Sequence, residues 1–193
     1  MLQMISKTLL LVGVSTALSG CLLTRNQDFN EAAREASEIA EFATSLPEVD
    51  AANLPETGTA TYQGIAALNY EERLDVGSEN NDYFSDITFE TDFENGNVDG
   101  SMSNFQSPDG AVGGTLVLVD GQVFSNGVDG DFVGTLNDDG TEVVLDVGVS
   151  QSDFRGDGTG EPAALTGNLI GTYSTDSDEG EMLGSFVTEF VNP

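Results

Sequence analysis

Residues 128–136 read Val128-Asp129-Gly130-Asp131-Phe132-Val133-Gly134-Thr135-Leu136, and residues 165–173 read Leu165-Thr166-Gly167-Asn168-Leu169-Ile170-Gly171-Thr172-Tyr173. In both, every second residue is either large and apolar or glycine, while those between are mostly Asp, Asn or Thr. A period of two sends successive side chains to opposite faces of a β-strand. Glycine therefore shares a face with Phe132, Leu136, Leu169 and Tyr173, not with the polar residues. The same pattern recurs in Val98-Gly100-Met102 and Met182-Gly184-Phe186. Glycine weakens a strand interior, so its repeated use needs a geometric reason. A small closed barrel supplies one: its strands must bend, and its interior fits alternating large and small side chains. Asp131, Thr135, Asn168 and Thr172 then point outward. Val133 and Ile170 are apolar exceptions on that face, and scattered surface apolars need no special account.

Outward from these two stretches, short β-branched and aromatic runs alternate with turn clusters. These are Glu94-Asn95-Gly96-Asn97, Asp120-Gly121, Asn126-Gly127, Asp138-Asp139-Gly140, Asp157-Gly158 and Asp178-Glu179-Gly180. Such punctuation predicts antiparallel strands joined by hairpins, at about 59–68, 84–93, 97–105, 114–120, 128–136, 142–150, 164–173 and 181–190. The gap 69–83 reads as an exposed acidic loop. The expected fold is all-β: a single eight-stranded antiparallel β-barrel preceded by a short N-terminal helical tether. That tether is the run Asp28 to Ser45, where Phe29, Ala32, Ala33, Ala36, Ile39, Ala40 and Ala43 recur at helical spacing. A stripe made mostly of Ala predicts a weakly packed spacer helix. Pro47 and Pro55 bracket a linker that ends at Thr57.

Composition narrows function further. Five Lys and Arg stand against 34 Asp and Glu among 193 residues, a formal net charge of −29, with no His, no Trp and one Cys. Nucleic acid is excluded as a partner, because its binding rests on neutralising phosphates with basic side chains. Histidine-based triads and His-containing metal sites are excluded as well. A lone cysteine forms no intrachain disulfide. The acids are spread along the chain with no single block, which fits a solvated surface, as in exported proteins of salt-adapted bacteria, better than a patch for one basic partner.

The N-terminus carries an address. Lys7 is followed by an apolar run from Leu9 to Val14 that is too short for a permanent span. The segment ends Leu18-Ser19-Gly20-Cys21, which resembles the lipobox of bacterial lipoproteins. The resemblance implies cleavage before Cys21, a diacylglycerol on its sulfur and acylation of the new N-terminus. The expected organisation is a signal peptide at 1–20, a lipidated N-terminus, helical tether and linker at 21–57, and the barrel at 58–193. Leu22 stands where Asp would signal inner-membrane retention, so the expected location is the outer membrane, on its periplasmic face or at the cell surface. The membrane is then a partner through the Cys21 anchor.

The barrel region itself resembles a family. Gly58-Thr59-Ala60-Thr61-Tyr62-Gln63-Gly64 is similar to the first strand of the β-barrel domain in the transferrin-binding protein B family. The hairpin from Asp92-Phe93 through Gly96-Asn97-Val98-Asp99-Gly100, the strand Gly167 to Tyr173, and Met182-Leu183-Gly184-Ser185-Phe186 resemble further family segments in the same order. The resemblance covers about 57–190 and implies a barrel-bearing surface or outer-membrane lipoprotein of a small single-lobe type. There is no room for the handle domain of the two-lobed proteins, and Ser174 to Glu181 replaces a usual family segment, so transferrin binding is not implied.

Catalysis needs an activated nucleophile or an acid–base pair. With no His, and the one thiol expected to be acylated, no enzyme is expected and no cofactor. Tyr62 and Tyr173 fall on the inward parity, as core residues whose hydroxyls find partners at a barrel end. Asp176, Asp178 and Glu181 are the weak candidates for a metal, calcium by their oxygens, though the spacing departs from an EF-hand; the loop also reads as a plain hairpin turn. The leading expectation is a non-enzymatic binding module for a protein or small ligand. The alternatives are a structural envelope lipoprotein, or a metal or metal-chelate binder. One acyl chain anchors marginally and two or more stably, so Cys21→Ser is expected to move the protein from the membrane fraction to the soluble one; membrane retention of the variant contradicts the lipobox.

Overall fold

Turn chemistry sets where each strand stops. The computed structural model describes residues 29–70, 83–157 and 161–191. Its strands are β1 Thr59–Tyr70, β2 Tyr83–Asp92, β3 Asn97–Ser107, the two-residue β4 Gly110–Ala111, β5 Gly113–Phe124, β6 Gly127–Asp138, β7 Thr141–Arg155, β8 Ala164–Ser174 and β9 Glu179–Val191. At the β2–β3 turn, the Asp92 carboxylate accepts the backbone N–H groups of Glu94 and Asn95. Asp139 and Gly140 both adopt positive φ between β6 and β7, the geometry that matches the twist of a two-residue hairpin. Every pairing is antiparallel, and β1 pairs with both β2 and β9. With β2 joined to β3 and β4 sitting on the end of β3, the eight long strands form a closed barrel.

All eight expected strands are present. Two of them, β5 and β7, run well past the expected ends. Asp120-Gly121 is a bulge inside β5, not a turn: the register shifts between Val119 and Gln122, and Asp120 has φ 52°. β7 runs on to Arg155 through a second bulge at Gln151, φ 49°. A residue that tolerates the left-handed region serves a bulge as well as a turn, and the bulge keeps the strand paired while sharpening its bend. Of the expected loop at 69–83, Asn69 and Tyr70 belong to β1 and Tyr83 to β2; 71–82 lie outside the described residues.

The inward parity read from sequence is the core. Tyr62, Phe89, Phe105, Phe132, Phe154 and Phe186 are fully buried, with Met102, Leu116 and Leu136 among them. Phe89 packs edge-on to Phe132 at 5.6 Å between centroids and tilted on Phe186 at 5.1 Å. The glycines give the neighbouring strand room. A methyl on Gly171 would overlap the Asp146 carbonyl oxygen, and one on Gly184 the Ala67 carbonyl oxygen.

The N-terminal segment is not a loose spacer. Helix α1, Phe29–Ser45, lies along the outside of β9, β1 and β2. Ala32 and Ile39 are buried there against Ile65 and Phe84, with Phe29, Ala33, Ala36, Ala67 and Val187 around them; Phe29 meets Phe84 edge-on at 4.9 Å. The Ala stripe is what permits this, since small side chains let the helix backbone sit close on the sheet. The linker is tied down too. The Val49 N–H donates to the Phe154 carbonyl at 2.8 Å and Gly156 N–H to the Pro47 carbonyl at 3.0 Å. Val49 is buried in the barrel core, and Arg155 reaches Thr166 Oγ1 at 3.1 Å and Glu48 at 3.5 Å.

Overpacking a close backbone approach costs about 1–3 kcal/mol. Gly171→Ala is expected to lower unfolding stability in urea by that amount. Gly113→Ala, whose added methyl would meet nothing nearer than 3.8 Å, is expected to stay within about 0.5 kcal/mol of the parent. Equal effects at the two positions contradict the account of the glycines.

Candidate functional site

The two barrel ends are closed by different chemistry. At one end, β1, β6 and β8 finish and β2 begins. There the Tyr70 and Tyr83 hydroxyls lie 2.8 Å apart, Tyr83 donates to Asp138 at 2.9 Å, and Tyr173 donates to Asp178 at 2.9 Å. Tyr70 and Tyr173 meet edge-on at 4.4 Å. Burial first, and then the hydrogen bond with Tyr70, hold the Tyr83 hydroxyl well above the ordinary phenol range. The three tyrosines and two carboxylates join β1, β2, β6 and β8 and the β8–β9 turn at this end.

At the opposite end, Tyr62 packs on Phe154 at 5.5 Å and Phe190 at 6.0 Å, with Phe93 against Phe154 at 5.7 Å. Val49 and Leu54 close the layer. Tyr173 finds the expected partner at a barrel end, but the buried Tyr62 hydroxyl has none among the described residues. Burial above all raises its pKa.

Outside the barrel, a cleft of about 50 Å³ between α1 and the sheet is lined by Glu35, Ile39, Gln63, Asp86, Thr88 and Glu189 among others. Asp86 is its notable member. Desolvation raises the pKa of its carboxyl, partly offset by a 2.6 Å hydrogen bond from Asn104 Nδ2. Of two wider surface clefts, one of about 300 Å³ beside α1 is lined by Glu35, Glu38 and Glu189 with Arg34, Ile39 and Phe42, and one of about 220 Å³ by Thr88, Glu90, Asp99, Gly100 and Ser101. The β2–β3 cleft sets the Thr88 and Ser101 hydroxyls beside Glu90 and Asp99. What the clefts offer chemically is recognition by shape, hydrogen bonding and negative charge.

The metal candidates are dispersed. Asp178 is used by its own turn, accepting from the Tyr173 hydroxyl and from Glu179 N–H, while its carbonyl accepts from Thr175 N–H. Asp176 is exposed, and Glu181 is an exposed position of β9 opposite Thr172. Among the described residues no three Asp, Glu, His or Cys side chains group as a metal would require. Cys21 lies outside the described residues.

The family model described as the C-lobe and N-lobe beta barrels of Tf-binding protein B matches residues 54–189. The chain belongs to this family. Eleven chains of known structure also match. One is a crystal structure of a point mutant of the vaccine antigen transferrin-binding protein B from Haemophilus parasuis Hp5, at 18% identity and a TM-score of 0.45, covering 76% of this chain and 29% of that one. The chain thus spans less than a third of that relative. No curated protein matches.

In this member of the barrel family, α1 and Val49 precede the matched span, and their docking went unread in the sequence. The available signal was Ile65, Ala67 and Val187, apolar residues at outward positions of β1 and β9 that match the helix stripe. The Asp86–Asn104 pair was missed as well, because it joins two strands at a register irregularity in β2 and β3.

Asp86 supplies a pH test. Its folded pKa is raised, so the folded state holds the proton more tightly than the unfolded chain. The cost of ionising it is absent below the unfolded pKa and fully present above the folded one. Asp86→Asn is therefore expected to be more stable than the parent at neutral pH, with the advantage shrinking to nothing once the pH falls below about 4. Urea midpoints across pH measure this; an advantage that does not vary with pH contradicts it.

Proposed function

We propose that this chain is a non-enzymatic binding module, held in the outer membrane by the lipid on Cys21, that captures a protein or small ligand on its outer face and loops. The observation that carries this reading is family membership through a barrel whose interior is filled by its own aromatic side chains. A filled interior leaves recognition to the outer surface. A lipid on Cys21 would present the barrel at the membrane surface, and the clefts described above supply hydrogen bonding and charge. Transferrin is the partner suggested by the name of the solved relative. Because this chain spans a fraction of that protein, transferrin enters as one probe among others, and a protein ligand is the broader expectation.

Protease treatment of intact cells, followed by binding to the immobilised 22–193 fragment, tests the proposal. Cleavage on intact cells is expected, together with saturable retention of a protein ligand that excess free fragment competes away; purified transferrin is run as a separate arm. Protection on intact cells with no saturable ligand contradicts the proposal and favours an envelope-maintenance role.

A further inference from the structure

The outside of the barrel has two unlike flanks. α1 covers β9, β1 and β2. On the other flank, the outward positions of β5 to β8 carry Val117, Val119, Val133, Val144 and Ile170. Val117 and Ile170 are 52% and 55% exposed. The register makes these residues a mixed patch, with Val117, Val119 and Val133 adjacent and Val144 and Ile170 set off by polar neighbours and Gly148. Val117 stands opposite Val133, Thr135 opposite Val144, and Ile170 opposite Gly148. Two carboxylates sit inside it: Asp146 opposite Val133, and Asp131 between Val119 and Gly148. Asp131 leans over Gly148, where an added Cβ would come within 2.9 Å of its Oδ1.

Strand propensity does not explain this apolar choice. Thr115, Thr135 and Thr172 fill neighbouring outward positions of the same strands, so Thr meets the need for β-branching there. Val and Ile leave apolar surface in water, which marks an interaction site when it is contiguous. Charge selects the occupant. The outward positions of β5 to β8 hold no cation except Arg155 at the end of β7, which is engaged with Thr166 and Glu48. A second copy would set like charges against each other in chains of net −29. A bilayer would bury Asp131 and Asp146 without partners.

Building on the binding-module reading, we propose that the outer face of β5 to β8, centred on Val117, Val133, Val144 and Ile170, docks a protein whose own face interleaves aliphatic side chains with Lys or Arg. The aliphatic residues supply burial, and the bases pair with Asp131 and Asp146, giving selectivity and fast association.

The probes are two synthetic peptides, one alternating Lys and Val, the other Lys and Ser, titrated into isotope-labelled 22–193 and followed by amide and methyl resonances. The Lys–Val peptide is expected to shift Val117, Val133, Val144 and Ile170 saturably, and the Lys–Ser peptide only weakly. Val133→Thr/Ile170→Thr is expected to weaken Lys–Val binding about five-fold, as is Asp131→Asn/Asp146→Asn, with parent-like spectral dispersion confirming the fold. Equal binding of both peptides, shifts confined to the acidic loops, or no binding overturns the proposal. Concentration-dependent shifts of the same residues without peptide also overturn it, by assigning the face to a second copy. If a natural protein ligand is retained fully by Val133→Thr/Ile170→Thr, the binding-module reading stands and this face does not.

Discussion

Close backbone approach at glycine is the constraint on which this barrel depends. At Gly64, Gly134, Gly171 and Gly184 the adjacent strand's carbonyl occupies the space a Cβ would need. Eight strands can close around a core only if they bend, and they bend where one strand can lean into its neighbour. The large residues between the glycines, Phe132, Leu169 and Phe186 among them, fill the volume so enclosed. Bulges at Asp120 and Gln151 add curvature without ending a strand. Ring closure also removes the open edges that would otherwise pair with other chains.

The same packing occupies the barrel interior with its own side chains. Tyr70, Tyr83 and Tyr173 seal one end, while Tyr62, Phe93, Phe154 and Phe190 seal the other. α1 then covers one flank and leaves the other to solvent. Among the described residues, a barrel filled inside and partly sheathed by α1 presents its loops, the outer face of β5 to β8 and the β2–β3 cleft to solvent. The formal charge of −29 keeps such a surface soluble and selects against self-association. Arg34 is engaged by Glu38 and Arg155 by Glu48, so among the described residues the cations serve the fold.

The strands were legible because their signals are local. Period-two alternation and glycine placement sit within a few residues, and hairpin chemistry sits in two to four. Asp120-Gly121 shows where local reading stops, since the same residues suit a turn and a bulge and only pairing decides between them. Docking of the N-terminal segment was less legible because it is a long-range event. Glu48 meets Arg155 across 107 positions, and nothing near either residue announces the other. The proposed docking face follows the same rule. Val133 and Ile170 stood out as apolar at outward positions, but their merging with Val117 and Val144 depends on strand register.

The central claim is that this barrel is packed solid and works from its outside. Titration of the 22–193 fragment with a lipophilic probe such as a medium-chain fatty acid, followed at the methyl resonances of Met102, Leu116, Leu169 and Met182, tests it most directly. The account predicts that these interior methyls do not shift as the probe is added. Saturable one-site shifts at them would show a ligand-holding interior and contradict it.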